Sequence, residues 1–502
     1  MANGKLPGYL ASAKPNPQEA RAPWYKTAAP AYAGVMLWFV FWHQVPMGSG
    51  LEGAPGFSRF AGGTLAQGLG VAIGGLVLAA LLCHFLFYLV PGLMGMKTGL
   101  PLYIVGTSTY GATGGFLMPG FLMGVLQFGW LAVNGFFAGV LLVTPFFDNP
   151  NEVVGSLAQI LVSSGWIVLG AFVGVKGIQY VGKVATFIPL IPLAILIVLF
   201  VSTVGGVTDF DHEALVETGR QYTPAEGGEA IAAQPPLSVF GVIALLATYI
   251  IGFFATAGAA GADFGMNSRD GKDVQVGGLT GIALCKIVAG GLSLLIVAGA
   301  YGLGIVKNGG MLQTTNLMGD IMGEKTGSVF MWLLALAAFP AACFSSFVAA
   351  NSFKATMPKV KPLYSCGLGA IVAIVLAVTG WAGDAIRVFE VIGASFGPVC
   401  GAMAADYLLA GRKWPGPRAG FNLAGWISWV VGFVVGAANF IPPLAGKIPC
   451  PPMAAFIVGF VLYLLLALLG LQGKTLELPA MKAGPTPEAE VPPAPEAEAP
   501  AP

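Results

Sequence analysis

The chain carries a tryptophan and an amide four residues apart, Trp130 and Asn134, within the apolar stretch 115–143. Side chains four residues apart lie on nearly the same face of a helix. A polar amide in a lipid-spanning helix is costly unless it faces a partner, a cavity or a ligand. An aromatic plate beside a group that both donates and accepts hydrogen bonds suits a flat, polar ring. The alternative is structural: Trp130 packs against neighbouring residues and Asn134 bonds an adjacent helix.

The composition requires that these residues lie in a membrane. Of 502 residues, 56% are hydrophobic and only 9% are charged, which excludes a soluble globular protein. Apolar runs of about 20 residues can cross about 30 Å of hydrocarbon. They predict an all-α polytopic membrane protein with twelve spans, at 28–48, 64–92, 113–144, 155–177, 182–204, 236–261, 276–304, 328–352, 362–382, 387–410, 421–443 and 452–472.

The distribution of basic residues predicts the orientation. With residues 1–27 as a cytoplasmic segment, 17 Lys and Arg residues fall on the cytoplasmic side and 6 on the outer side, with Lys286 inside a span. This asymmetry is typical of proteins of the inner or plasma membrane, and it places both termini in the cytoplasm. Residues 1–27 show no apolar core of a signal peptide. Residues 205–235 are predicted to form an outer loop, and the Pro/Ala/Glu-rich tail 473–502 to be disordered.

Two interrupted spans suggest an internal repeat. The first span contains a Pro/Gly segment at 44–48, and the sixth contains a Gly-rich segment at 256–261. Transporters built from inverted repeats often have such interruptions at corresponding positions of their two halves. The pattern predicts repeats at 28–204 and 236–410, followed by two further helices within 411–472.

Several short motifs in a fixed order resemble one family. They are the small-residue run 106–115 followed by Gly129-Trp130 and Asn134, the segment 252–264, the segment 397–408, and the pairs Phe421-Asn422 and Gly425-Trp426. Together they resemble the nucleobase:cation symporter-1 family, the cytosine, purine, allantoin and hydantoin permeases, over residues 25–445. The resemblance implies a LeuT-like fold with a 5+5 inverted repeat plus two helices.

The resemblance also implies a substrate site. A ring would stack on Trp130, and Asn134 would bond it, although the family often has Gln at this position. The implied substrate-binding set is completed by Gln44, Phe253, Phe254 and Asn351. Which of the two phenylalanines faces the ring stays open. Gln44 has an equal alternative role, which is to satisfy backbone carbonyls freed by Pro46.

The eighth span carries a candidate cation site. Ser345 and Ser346 lie three and four residues after Ala342, so two hydroxyls and a carbonyl share one face. Oxygen ligands of this kind suit a hard cation. The resemblance implies a sodium site completed by carbonyls near Val40 and His43. Packing between helices is the alternative role for such small residues.

The remaining polar residues inside the spans have mainly structural interpretations. Lys286 is expected to snorkel or to pair with a carboxylate, the alternative being a proton-coupling group. Asp263 and Asp406 are expected to form structural ion pairs near the cytoplasmic helix ends. The two histidines within spans, His43 and His84, and the six scattered cysteines show no metal-ligand spacing.

These features predict a secondary active transporter, not an enzyme, that imports a nucleobase-like heterocycle. Coupling to Na⁺ or H⁺ is expected, without another cofactor, nucleic acid or obligate protein partner. An amino-acid or amine symporter on the same fold and a non-transporting membrane sensor are the alternatives. A membrane enzyme would need convergent His, Cys or acidic clusters, which the sequence lacks.

Overall fold

The computed structural model describes residues 6–479 apart from 49, 52–53, 150–151, most of 177–186, 223–230 and 307–310. Within this part, the first spanning segment consists of two short helices, α1 (Ala28–Met36) and α2 (Phe39–Trp42). The helices that follow are α3 (Leu69–Thr98), α4 (Phe116–Phe146), α5 (Leu157–Lys176), α6 (Leu190–Asp209), α7 (Val239–Ala259), α8 (Gly271–Gly302), α9 (Glu324–Thr356), α10 (Pro362–Val378), α11 (Ala385–Leu409), α12 (Leu423–Gly436) and α13 (Pro451–Leu468).

Nine of these helices, all but α1, α2, α10 and α12, are long and apolar enough to cross a membrane in the described part of the chain. Each of the twelve predicted spans overlaps one of the helices, with the pair α1 and α2 as the first span. The boundary between the fourth and fifth spans lies largely outside the described residues. The predicted tail also lies outside them from residue 480 onwards.

Short elements connect the spanning helices. Two small antiparallel sheets pair β1 (Gly50–Leu51) with β2 (Ala54–Ser58), and β3 (Gln221–Tyr222) with β4 (Ile231–Ala232). The short α-helices are Gly8–Ala11, Leu102–Val105, Thr107–Tyr110, His212–Thr218, Gly261–Gly265 and Met318–Met322. Single 3₁₀ turns are Gln18–Ala20, Trp24–Lys26, Gly63–Leu65, Thr144–Phe146, Trp381–Gly383 and Ala438–Phe440, and a longer one, Val204–Asp209, ends α6.

The centre of the molecule is formed by α7, α8 and α11. In the most apolar stretch of each, 72%, 67% and 94% of the residues are buried, compared with 33% for α5, α6 and α13. The outer helices therefore expose large apolar side chains, which is the arrangement expected where lipid replaces water. Small residues let the central helices approach closely: a Cβ on Gly252 of α7 would lie 2.5 Å from the Phe389 carbonyl oxygen of α11.

The helix interruptions differ from the predicted ones. The first span breaks at Leu37–Trp38, where Trp38 is extended (φ −60°, ψ 127°), and it ends as a helix at Trp42, before Pro46. The predicted interruption at 44–48 therefore corresponds to the end of this segment and not to the break at Leu37–Trp38. In the sixth span, α7 continues without a break to Ala259, and the short helix Gly261–Gly265 follows directly. The prediction that the glycines at 256–261 unwind the sixth span is wrong, because they mark the end of α7.

Candidate functional site

Four aromatic side chains meet beside the break in the first span, and we call them the central aromatic cluster: Trp38, Trp130, Phe253 and Phe389. The ring of Trp130 lies 5.9 Å from that of Trp38, 5.2 Å from that of Phe253 and 5.2 Å from that of Phe389, measured between centroids. The cluster joins the break to α4, α7 and α11. It surrounds Trp130, the residue at which the sequence predicts that a ring stacks, with three further aromatic rings.

The structure resolves which phenylalanine of α7 faces Trp130. Phe253 meets it edge to face, with an angle of 85° between the rings. Phe254 instead contacts Tyr32 of α1, and its ring lies 3.8 Å from Lys286 Nζ of α8. Phe254 therefore does not belong to the cluster, and the prediction that it contacts substrate is not supported.

A hydrogen bond fixes the orientation of the Trp130 indole. Its Nε1 donates to Thr256 Oγ1 at 3.2 Å. Thr256 follows Phe253 by three residues, so both lie on one face of α7. Trp130 is thus held against α7 by a polar contact and an aromatic contact at once.

Asn134 has a structural role in this conformation. Its Nδ2 donates to the Ala338 carbonyl of α9 at 3.0 Å, and its Oδ1 accepts from Trp166 Nε1 of α5 at 3.0 Å. Both ends of the amide are therefore engaged, and the side chain ties α4 to α5 and α9. The geometry supports the alternative of an interhelical bond and not the predicted contact with a ring.

Two nitrogen atoms near the break have no partner among the described residues. They are Trp38 Nε1 and His43 Nε2, both buried, although His43 Nδ1 lies 3.2 Å from Thr315 Oγ1. Gln44 is 4% exposed. The side chain of Asn351, by contrast, is exposed near the end of α9, so the prediction that it faces the ring is wrong.

The predicted sodium ligands are not brought together. Ala342 and Ser346 face α5, since Cβ atoms built on Gly170 and Gly174 would lie 3.0 Å from Ala342 Cβ and 2.8 Å from Ser346 Cβ. Ser345 is half-buried. Ser346 Oγ is buried without a hydrogen-bond partner. These orientations do not support the set Val40, His43, Ala342, Ser345 and Ser346 as a cation site, and that assignment stays a prediction.

The carbonyls of the break are already satisfied by side chains. Tyr249 Oη of α7 donates to the carbonyls of Val40 at 2.8 Å and Phe41 at 2.6 Å. Ser293 Oγ of α8 donates to the Trp42 carbonyl at 2.6 Å. Buried carbonyls need such partners, so these three carbonyls are satisfied without a cation in this conformation.

Three residues of the site were missed by sequence reasoning. Trp38 lies in the largely aromatic run 38–42, whose pattern is that of an ordinary apolar helix. Tyr249 has a role only because the first span is broken, since its hydroxyl bonds carbonyls near the break. Phe389, in α11, packs against Tyr249 and Phe253 as well as Trp130, with centroid distances of 5.3 Å to each of the first two. The only sequence signal for it is the acidic neighbour Glu390 inside a span.

The two predicted acidic positions differ in their contacts. Asp406 forms a buried ion pair with Arg418, with Oδ1 2.8 Å from Nη1, as predicted. Asp263 pairs with no cation among the described residues and accepts from the Leu102 backbone N–H at 2.9 Å. Burial raises the pKa of Asp263 to about 6. The prediction of an ion pair at Asp263 is therefore wrong.

An apolar cavity of about 690 Å³ lies between α4, α9, α10 and α11. Gly129 and Val388 line it, next in sequence to Trp130 and Phe389, and most of its other lining residues are apolar. A polar ring would find few hydrogen-bonding groups in it. The cavity is therefore a weaker candidate for the substrate site than the cluster.

The sequence matches no known family profile and no curated protein. Solved transporter structures do match it. Mhp1 in an inward-facing conformation is 15% identical, with 94% of each chain covered and a TM-score of 0.58. Mhp1 as a nucleobase-cation-symport-1 family transporter, closed with bromovinylhydantoin bound, is 15% identical over 93% of this chain and 95% of that chain (TM-score 0.56). A Na⁺-coupled sialic acid symporter, substrate-bound and outward-open, is 13% identical over 91% of this chain and 92% of that one (TM-score 0.51).

At these identities the likeness establishes the fold. The predicted all-α, LeuT-like membrane fold is confirmed over nearly the whole chain. The family resemblance is thereby confirmed at the level of architecture.

Proposed function

We propose that the protein is a cation-coupled secondary transporter, not an enzyme, that imports a planar, polar, nucleobase-like heterocycle across the inner or plasma membrane. The central aromatic cluster binds the ring, and the polar groups at the break recognise its amide edges. The cation is Na⁺ or H⁺, and both termini lie in the cytoplasm, as the distribution of Lys and Arg predicts.

The observation that carries the proposal is the unpartnered N–H of Trp38 beside the rings of Trp130 and Phe253. A buried donor without a partner is costly, and a ligand carbonyl would satisfy it. Aromatic rings beside it offer stacking to a flat ligand. The bromovinylhydantoin bound to Mhp1, one of the structural neighbours, contains a ring of this kind and agrees with this chemistry.

The cluster requires a movement before it can hold a ring. Trp130 and Phe253 are in edge contact in this conformation, with their centroids 5.2 Å apart, so no ring fits between them. Alternating access supplies such a movement, because binding favours a state in which the two rings separate. Asn134 then keeps α4 attached to α5 and α9 while α7 shifts.

Thermal stabilisation of the purified protein tests the proposal. A panel of cytosine, uracil, hypoxanthine, allantoin and hydantoin is measured in sodium and in choline buffers, because a ligand that binds the folded state selectively stabilises it. We expect one ring to raise the melting temperature of the wild type and not that of Trp130→Ala. Trp332→Ala is the matched control, because Trp332 is 37% exposed on α9.

Two results would contradict the proposal. The ring site is wrongly assigned if Trp130→Ala keeps the full shift while remaining folded. No shift with any ring, together with a shift for an amino acid or amine, would favour the alternative carrier on the same fold. Uptake by wild-type protein in vesicles separates both carriers from a sensor.

A further inference from the structure

Lys286 is the most unusual polar residue in the interior of the molecule. Its side chain is 0% exposed, although it lies within α8 about 22 Å along the helix from Gly271. Among the described residues, none of the ion pairs includes Nζ, and its polar contact is with the Cys83 thiol. Lys286 therefore neither snorkels nor pairs with a carboxylate, contrary to the favoured sequence interpretation.

The amine is in contact with an aromatic ring. Nζ lies 3.8 Å from the centroid of Phe254, which is the geometry of a cation–π interaction. The Cys83 thiol of α3 lies beside it. An ammonium that contacts only an aromatic ring and a thiol is stabilised much less than one that faces a carboxylate. A small change in its surroundings can therefore remove or restore its charge.

The other titratable groups around Lys286 are neutral types. From α3 they are Cys83, His84 and Tyr88; from α1, Tyr32; from α8 itself, Cys285; and from α11, Cys400, behind Cys83 and Tyr32. The titratable residue of α7 is Tyr249, whose hydroxyl bonds the carbonyls of Val40 and Phe41. The carboxylate of Asp263 interacts electrostatically with Tyr32 and accepts from the Leu102 N–H.

Several of these groups also lack partners. Both ring nitrogens of His84 and the hydroxyl of Tyr88 are buried without hydrogen bonds. Buried polar groups are almost always paired, so these three unpaired atoms on the π-helical segment of α3, among the described residues, need an explanation. Groups that accept and release protons provide one.

The backbone around the amine is irregular. Cys83–Tyr88 of α3 and Leu279–Leu284 of α8 are both π-helical, and they pack against each other. A Cβ on Gly278 would lie 2.5 Å from His84 Nδ1, which shows how closely the two segments approach. Single π-helical turns within α-helices occur frequently at functional sites. Here the π-helical segment of α8 ends two residues before Lys286, and that of α3 begins at Cys83, which contacts the lysine.

Phe254 connects this region to the ring site. It is next in sequence to Phe253, so one turn of α7 contacts the amine on one side and Trp130 on the other. A rotation of α7 that separates Phe253 from Trp130 would also move Phe254 relative to Nζ. Such a rotation would link the charge of Lys286 to the opening of the ring site.

We propose that Lys286 is the proton-binding site that couples this transporter to H⁺. The neutral amine takes one proton from the outer aqueous side to form the ammonium, which binds the Phe254 ring and favours the ring-bound state. When the site opens to the cytoplasm, the ammonium releases the same proton to water and the amine becomes neutral again. One proton thus moves inward with each ring, and the cation–π contact transmits the coupling.

Proteoliposomes with trapped pyranine test this inference, which rests on the proposed transport function. The probes are radiolabelled cytosine, uracil, hypoxanthine, allantoin and hydantoin, in sodium-free buffer. For the wild type, an inward gradient of one pH unit should drive about tenfold accumulation of one ring and acidify the lumen with it. Lys286→Gln should lose both effects but retain exchange of labelled for unlabelled ring, which needs no net proton movement.

Controls separate this role from a structural one. Lys176→Gln removes an exposed lysine at the end of α5 and should behave like the wild type. If Lys286→Gln does not fold, Phe254→Leu keeps the lysine but removes the ring beneath it. The pH of half-maximal uptake of this variant should be about one unit lower than that of the wild type, because the ammonium has lost the ring that stabilises it.

The remaining outcomes contradict the inference, and they show whether the proposed function fails with it. Proton-coupled accumulation by Lys286→Gln, or an unchanged pH profile for Phe254→Leu, excludes Lys286 as the site. Ring transport by the wild type that depends on sodium and moves no protons overturns the inference but leaves the proposed function standing. Failure of the wild type to bind or carry any ring contradicts the proposed function itself.

Discussion

The unpaired indole N–H of Trp38 and the engaged amide of Asn134 show how context decides the role of a polar group. Trp38 contacts the ring of Trp130 and Asn134 follows Trp130 by one helical turn, yet Asn134 bonds α5 and α9 whereas Trp38 Nε1 has no partner among the described residues. A side chain whose hydrogen-bonding groups are already engaged contributes to architecture. A group that remains unpaired after folding is available to a ligand.

Trp38→Phe removes the unpaired donor while it preserves the aromatic packing. We expect ring affinity to fall by about tenfold to a hundredfold, corresponding to about 1–3 kcal/mol for a lost buried hydrogen bond. The stability of the free protein should be unchanged or slightly higher, because a buried unsatisfied N–H disappears. Titration of the ring by tryptophan fluorescence or calorimetry measures the affinity, and Trp332→Phe is the control. Unchanged affinity would remove Trp38 from the site.

Asn134→Leu should reduce stability more than it reduces ring affinity. The substitution leaves the Trp166 N–H and the Ala338 carbonyl without partners, and we expect a loss of about 1 kcal/mol per bond. Unfolding in detergent, compared with the exposed control Ser202→Ala, measures the loss. A hundredfold loss of ring affinity at full stability would instead restore Asn134 as a direct substrate contact.

The sequence predicts the residues of this site unevenly. Trp130 could be recognised because an aromatic side chain and an amide share one helical face in an apolar stretch. Phe253 could not be separated from Phe254, since adjacent residues point about 100° apart and only packing fixes the rotation of α7. The partners of Asn134 depend on where α5 and α9 lie, which no local pattern reveals.

The break of the first span illustrates the same limit for an element. Neither glycine nor proline occurs at Leu37–Trp38, so the chain carries no local signal for an interruption there. The extended residue is stabilised by tertiary contacts: Trp42 Nε1 donates to the Leu37 carbonyl at 3.0 Å, and Tyr249 satisfies two further carbonyls. Spans are predictable because hydrophobic length decides them, whereas breaks depend on donors that come from other helices.

A buried ion pair joins several elements at one end of the molecule. Asp406 of α11 lies 2.8 Å from Arg418 and accepts from Tyr463 Oη of α13 at 2.8 Å. Asn422, which precedes α12, donates to the Thr109 carbonyl at 2.7 Å. The network thus fixes α11, α12 and α13 to the helix Thr107–Tyr110.

Breaking this pair on one side should strongly destabilise the protein. We expect Asp406→Asn or Arg418→Met to cost about 3–5 kcal/mol, because each leaves a buried charge without its partner, and the double variant to recover much of the loss. Detergent unfolding of the two single variants and the double variant measures the coupling. Glu217→Gln, in the exposed pair with Arg220, should change nothing measurable. Additive losses in the double variant would contradict the pairing.

At the scale of the whole molecule, the N-terminal segment joins parts that are far apart in sequence. The Asn16 backbone N–H donates to the Gly99 carbonyl at 2.8 Å, and Asn16 Nδ2 donates to Asn267 Oδ1 at 2.9 Å. Arg21 Nη1 donates to the Met96 carbonyl at 2.6 Å. The segment therefore ties the end of α3 to the connection between α7 and α8. Its composition predicts only that this segment is polar, because the fold alone brings its hydrogen-bonding partners close to it.

The proposed transporter would have to release this tie in order to open on the side of the molecule where these elements lie. Asn16→Ala combined with Arg21→Ala removes the side-chain bonds, so we expect the equilibrium to shift towards a state that is open on this side. Hydrogen exchange of segments 99–115 and 261–276 should then rise severalfold, because local opening exposes their backbone amides. Lys14→Ala, which removes an exposed side chain of the same segment, should leave exchange unchanged. Equal exchange in the double variant and the wild type would mean that the segment only covers this surface, and the energetic barrier to opening would then have to lie in the helices themselves.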